Sequence, residues 1–317
     1  RNVMESLGKH QTENCAAIID VGSNSVKLLV AEVADGAVRP LLQAGEQTRL
    51  GRGVFETGRL EQEAIEQTAF VAASFAKRAR DLGVSRVMAL ATSAARDARN
   101  GQELVEQFGQ VGIPLEIIDG HRESELVLKG VRSHAEYADG LLAVLDVGGG
   151  STELLVTDDN VLRVQKSFQL GTVRLLEEHA PSDRPTGGER ARLIEAIDEF
   201  LNEQLVPIIS DVELPPQLVA AGGTPVFLGR IFLERDKVPA GEMESLHLPL
   251  AEVQSLADRL WMMPLAQRQK LPGLPANRAD VILIGAQIYE AILLRCGFAE
   301  LRPTLRGVRY GALLEEL

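Results

Sequence analysis

The 317-residue sequence has only two cysteines, no apolar run near the length of a membrane span, no dense block of lysine or arginine, and no low-complexity tract. Each absence removes a class of protein. Cys15 and Cys296 lie far apart in no metal or redox spacing, which excludes a disulfide scaffold and predicts two inert thiols in a reducing, cytoplasmic setting. A span would need about 18 consecutive apolar residues. Residues 1–14 are polar, without the apolar centre of a signal peptide, and read as a flexible tail. With 33 Lys and Arg against 45 Asp and Glu, the net charge is −12, so the surface as a whole repels nucleic acid and anionic membranes. Neither is an expected partner. The 45% hydrophobic and 25% charged residues are globular values, and at roughly 150 residues per domain the length predicts two domains.

What is present is a repeat. Residues 20–30 read Asp-Val-Gly-Ser-Asn-Ser-Val-Lys-Leu-Leu-Val, and residues 146–156 read Asp-Val-Gly-Gly-Gly-Ser-Thr-Glu-Leu-Leu-Val, seven of eleven identical at an offset of 126. Each copy is entered and left by a β-rich apolar run, so each reads as strand, tight turn, strand. Turns rich in glycine and small hydroxyls can aim backbone N–H groups at a phosphate oxygen. A carboxylate just before the turn, Asp20 or Asp146, would repel bare phosphate but suits a hard divalent cation.

The remaining chain reads as alternating strands and helices. The segment 48–59 carries Arg49, Arg52 and Arg59 among glycines, which could project towards the first turn or into solvent. Ile65, Ala69, Ala72, Phe75, Ala76 and Ala79 recur at helical spacing over 61–82, ended by Gly83. Thr92 and Ser93 follow a strand at 84–91 and open a helix with Arg96 in its first turn, where a cation opposes the helix dipole and suggests a nearby anion. A strand at 113–118 precedes a helix that starts near His121, and its dipole favours the charged forms of Glu123 and Glu125, either of which could be a base. In the second half, strands are expected around 161–168 and 218–221, a helix over 171–178, and a capping box at Thr186-Gly-Gly-Glu189 ahead of another helix. Gly222-Gly223-Thr224 forms a third glycine and hydroxyl turn. Residues 242–272 read as helical, with Trp261, Met262 and Met263 packing, and helices are expected over 277–294 and at the end of the chain.

Two α/β halves opened by matching hairpins resemble the actin, sugar-kinase and heat-shock-chaperone superfamily. The expected fold is α/β, with two related ribonuclease H-like domains and an interdomain cleft. Its expected parts are a tail at 1–14, a first phosphate-binding domain at 15–124, a second at 125–300, and a 301–317 segment returning to the first. The ordered motifs Asp20 to Ser25, Ala91 to Ala98, Ile118 to Ser124, Asp146 to Glu153, Gly222 to Thr224 and Arg278 to Ile282 more narrowly resemble the exopolyphosphatase and guanosine pentaphosphate phosphohydrolase family.

That resemblance implies hydrolysis of a terminal phosphoanhydride of inorganic polyphosphate, guanosine pentaphosphate, or both. It makes Glu123 the catalytic base. It places phosphate on Gly22, Ser23, Asn24, Ser25, Arg96, Gly148, Gly149, Gly150, Ser151, Thr152, Gly223 and Thr224. Mg²⁺ or Mn²⁺ falls to Asp146, Glu153 and Asp20, and a homodimer is implied. The sequence departs from the family pattern at Asp119 (usually Ser), Ser124 (usually Ala) and Gly222-Gly223 (more often Ser-Gly). A second carboxylate at 119 would make the base harder to ionise or recruit another cation, shifting activity towards higher pH or metal. Ending at Leu317, the sequence lacks the helical extension of longer members, from which weaker processivity on long polyphosphate is expected. Two other readings remain open at this point: a polyphosphate or alarmone sensor without catalysis, and a sugar or acetate-type kinase sharing the two-hairpin core.

Overall fold

The computed structural model describes residues 14–159 and 161–317, so the expected tail lies almost wholly outside the described residues. The chain forms two compact units, one running through Ala135 and completed by Arg306–Leu317, the other spanning Glu136–Leu305. The division falls past the expected boundary at 124/125 because the helix Gly120–Arg132 continues through it and packs against the returning helix Val308–Glu316. There the α-carbon of Gly311 meets backbone so closely that an added Cβ would lie 1.9 Å from the Leu126 carbonyl oxygen. Arg122 bridges to the Glu315 carboxylate on the returning helix.

The first unit is built on strands β1 (Cys15–Val21), β2 (Ser25–Ala34), β3 (Ala37–Gln47), β4 (Val87–Ala91) and β5 (Leu115–Ile117), in the order β3-β2-β1-β4-β5. β2 and β3 run antiparallel to their neighbours, and β4 and β5 are parallel to β1. Every residue of β1 is buried, as expected for a central strand covered on both faces. Its odd-numbered side chains, Cys15, Ala17, Ile19 and Val21, enter a core with Ile65, Ala69, Ala72, Phe75, Ala76 and Ala79 of the helix Gln62–Asp81. Its even positions, including Asp20, take the opposite face by the two-residue period of a strand.

The second unit repeats this plan. Strands β6 (Leu141–Val147), β7 (Thr152–Asp158), β8 (Val161–Phe168), β9 (Gln217–Ala221), β10 (Leu248–Pro249) and β11 (Glu300–Pro303) lie in the order β10-β11-β9-β6-β7-β8. Read from β8 to β11, the strand order and directions match those from β3 to β5. The helix Gly187–Gln204 opens with the expected capping box: Thr186 accepts from the Glu189 amide and Glu189 accepts from the Thr186 amide. The Thr186 amide, with the Ser182 amide and hydroxyl, holds the Glu189 carboxyl at about 2, far below its usual value.

Several expectations change. Residues 242–272 are not one helix. Pro249 and Pro264 each start a new one, separating the turn Ala240–Glu244, β10, the helix Leu250–Met262 and the turn Leu265–Arg268. Trp261 packs as expected and donates to the Leu283 carbonyl at 3.2 Å, but Met262 is 69% exposed. No helix among the described residues is long and apolar enough to cross a membrane.

Candidate phosphate-binding and catalytic site

In the first unit, the β1–β2 turn carries Gly22, Ser23 and Asn24 and leads into Ser25. Its carbonyls are held from behind by the segment that follows β3: Gly51 N–H donates to Ser23 O at 2.7 Å, and Thr48 and Arg49 N–H donate to Asn24 O at 3.3 and 3.1 Å. A trans peptide points its C=O and the next N–H in opposite directions. Anchoring Ser23 O and Asn24 O therefore aims the N–H groups of Asn24 and Ser25 away from the anchor. Gly51 permits the approach, since a Cβ there would lie 2.7 Å from Ser23 Cβ. The segment whose arginines could project towards the turn or into solvent thus supports the turn through its backbone, while Arg59 pairs with Glu103. The Ser25 and Thr48 hydroxyl oxygens are buried with no hydrogen-bond partner among the described residues, and an unmet buried hydroxyl favours a polar ligand or water.

Ser23 Oγ lies 3.3 Å from Ser93 Oγ, which joins the turn to the helix Ser93–Asp97. This helix has five residues, so Arg96 stands in its last turn as well as its first, and the dipole argument loses its force. The anion that Arg96 meets is Glu123: Nη1 donates to Glu123 Oε2 at 3.0 Å and to Ile118 O at 2.9 Å. Glu123 is buried in the first turn of Gly120–Arg132, whereas Glu125 is half exposed and pairs with His121 and Arg122.

The departures near Glu123 have structural reasons. Asp119 is the helix N-cap, its Oδ1 accepting from Arg122 N at 2.7 Å, a task aspartate and serine perform about equally well. Its carboxylate therefore serves the start of the helix that carries Glu123. Ser124 is fully buried, and its hydroxyl bonds back to the carbonyls of Gly120 and His121 at 2.7 and 2.9 Å.

In the second unit, the corresponding turn is anchored more completely. The residues after β8 supply the anchor: Thr172 N donates to Gly148 O at 3.0 Å, and Val173 N and Arg174 N donate to Gly149 O at 2.8 and 3.0 Å. Arg174 Nε donates to Gly150 O at 3.0 Å. By the same planarity, the N–H groups of Gly149, Gly150 and Ser151 are aimed away from the anchor, forming a nest for an anion. Gly171 makes the approach possible, because a Cβ on it would lie 2.4 Å from Gly149 O. Thr152, expected to bind phosphate, is buried and gives its hydroxyl proton to Leu170 O at 2.6 Å. A phosphate oxygen, itself an acceptor, finds no donor on that side chain.

Asp146 and Glu153 stand directly opposite each other across β6 and β7. Glu153 is 1% exposed and accepts from Ser167 Oγ at 2.8 Å. Gly222, at φ 95°, leaves open the space beside Asp146, where a Cβ would come within 2.6 Å of Asp146 Oδ1. This accounts for glycine at 222 in place of serine. Gly223 and Thr224 begin the helix Gly223–Leu233, and Thr224 packs against Gly285. Among the described residues no group of three or more His, Cys, Asp or Glu side chains could hold an ion unaided. Two hard carboxylates beside a space kept clear by glycine nevertheless fit Mg²⁺, which usually takes one or two protein carboxylates and fills its other positions with water and phosphate. Asp20, which the resemblance groups with them, faces Lys27 across β1 and β2 in the first unit.

A family model described as the Ppx/GppA phosphatase family matches residues 29–317. The chain is 32% identical over 288 residues to Exopolyphosphatase 2 of Mycobacterium tuberculosis, covering 87% of this chain and 89% of that one. It is 29% identical over 302 residues to Exopolyphosphatase 1 of the same organism, covering 95% and 87%. Among solved structures, the Aquifex aeolicus member of the Ppx/GppA family superposes with a TM-score of 0.78 at 30% identity, covering 95% and 97% of the two chains. An exopolyphosphatase from Cytophaga hutchinsonii gives 0.87 at 26% identity, covering 96% and 98%.

Proposed function

Since this chain belongs to the Ppx/GppA phosphatase family, we propose that it removes terminal orthophosphate from inorganic polyphosphate, with Glu123 as the base that activates water. The observation that carries this reading is the run of contacts in the first unit: the phosphate turn touches Ser93, Ser93 opens the helix that holds Arg96, and Arg96 grips Glu123. A carboxylate is thereby fixed one arginine away from a turn whose amides suit phosphate.

Phosphoryl transfer asks mainly for positioning and charge neutralisation. Within the first unit the amides of Asn24 and Ser25 suit phosphate oxygens, and within the second, taken by itself, those of Gly149, Gly150 and Ser151 do. Arg96 holds Glu123 Oε2 and so orients the carboxylate. Glu123 accepts a proton from water as the water oxygen bonds to the terminal phosphorus. The bond from that phosphorus to its bridging oxygen breaks, and the shortened chain departs with the electron pair. Mg²⁺ or Mn²⁺ held by Asp146 and Glu153 would neutralise charge on the phosphates. Guanosine pentaphosphate offers the same terminal anhydride and is the second substrate to assay.

The test is orthophosphate release from short polyphosphate, long polyphosphate and guanosine pentaphosphate, with Mg²⁺ or with EDTA, in the wild type and in Glu123→Gln. Metal-dependent release that falls roughly a thousandfold in the variant is expected, within the range for loss of a general base. Tight binding without release would favour a sensor, and ATP-dependent phosphorylation of a small-molecule acceptor would favour a kinase.

A further inference from the structure

The second glycine turn is supported differently from the first. In the first unit, backbone amides hold both anchored carbonyls, Ser23 O and Asn24 O. In the second, backbone amides hold Gly148 O and Gly149 O, but Gly150 O receives Arg174 Nε. Arg174 lies in the first turn of the helix Thr172–His179, where a cation works against the helix dipole. Its side chain folds back onto the turn instead of running out to solvent.

We propose that Arg174 is a positioning residue for the phosphate nest: by holding the Gly150 carbonyl it fixes the orientation of the 150–151 peptide and aims the Ser151 N–H at a bound phosphate oxygen. The proposal deepens the phosphohydrolase reading and rests on it for its substrate. A glycine peptide turns over easily. With the Gly150 carbonyl released, the peptide can present its oxygen, which repels phosphate, where the N–H should stand. The position along the side chain matters as much as charge. Gln places its amide nitrogen where Arg has Nε and still donates a hydrogen bond, whereas Met has the same reach and no donor.

The experiment compares Arg174→Gln and Arg174→Met in the full chain, using tripolyphosphate with Mg²⁺ and following orthophosphate release. Arg174→Met should raise KM roughly tenfold, the scale of one lost charge-assisted hydrogen bond, with kcat little changed. Arg174→Gln should stay within about threefold of the wild type on both parameters. Amide hydrogen exchange over 146–153 without substrate should quicken in Arg174→Met and remain unchanged in Arg174→Gln. Equal KM in the two variants would mean that charge or bulk matters and not the Nε donor, and would overturn the proposal. So would an Arg174→Met protein that no longer melts cooperatively, which would assign the side chain to folding. If the wild type releases no phosphate, the phosphohydrolase reading fails by itself, and the exchange comparison still decides whether Arg174 orients the turn.

Discussion

The two hairpins share a backbone plan but differ at one rung. Across β1 and β2, Asp20 faces Lys27; across β6 and β7, the matching Asp146 faces Glu153. Directly opposed residues in an antiparallel pair bring their Cβ atoms to about 5 Å, so opposite charges attract and like charges repel. The first hairpin offers amides beside a balanced pair of charges. The second offers amides beside two carboxylates, one of them almost fully buried. A buried carboxylate facing another is costly unless a cation joins them. The repeat therefore sets one glycine turn beside a balanced rung and the other beside an acidic one, and the acidic rung is the one a divalent cation would neutralise. Both nests rely on a glycine in the supporting segment, Gly51 or Gly171, which lets one backbone come hard against another.

The largest expected effect breaks this asymmetry at its acidic end. Glu153→Gln keeps the shape and the acceptor for Ser167 but removes one charge of the pair. We expect the Mg²⁺ needed for half-maximal activity to rise about ten- to a hundredfold, as for other losses around a metal, with the melting temperature unchanged or raised. An unaltered Mg²⁺ requirement would remove Glu153 from metal binding. A smaller effect follows from Lys27→Met in the first hairpin. Loss of that ammonium should raise KM for polyphosphate several-fold, roughly 1 kcal/mol of binding, and leave the Mg²⁺ requirement where it was. Equal shifts in Mg²⁺ requirement for both substitutions would erase the distinction between the hairpins.

Much of this was legible in the sequence, because the two turns, their flanking strands and the capping box at Thr186 and Glu189 are local patterns. β8 has the expected span, 161–168. β3 was missed. It is an edge strand, largely exposed, interrupted by Pro40 and paired through a bulge, so it shows neither an apolar run nor clean alternation. The charged rung was visible in the aligned repeats as Lys27 against Glu153, but its meaning depends on pairing register. Arg174 could have been found by the reasoning that singled out Arg96, a cation in a first helical turn, yet only the fold shows which acceptor it meets. For Arg96 that reasoning led to a suitable residue for an insufficient reason: its helix is a single turn, and its anion is Glu123. Asp119 could be read as a charge next to the base, while its bond to the Arg122 amide depends on where the helix begins.

The smallest expected effect concerns that helix start, which has an aspartate cap in the first unit, whereas the helix anchoring the second turn begins at Gly171 with no side-chain cap. Asp119→Ala should cost about 1 kcal/mol, the usual value of an N-cap, which for a unit of this size is a fall in Tm of roughly 2–4 °C. Because Glu123 sits in the same turn, some phosphate release should be lost with it. Asp119→Ser replaces one good cap with another and should restore both properties. Thermal melts and pH profiles of the two variants separate capping from charge. If Asp119→Ser keeps the Tm but moves the acidic limb of the profile, the Asp119 carboxylate acts on Glu123 electrostatically. If the profile stays fixed while Asp119→Ala alone melts early, the residue acts by holding the first turn of the helix, and with it Glu123, against Arg96.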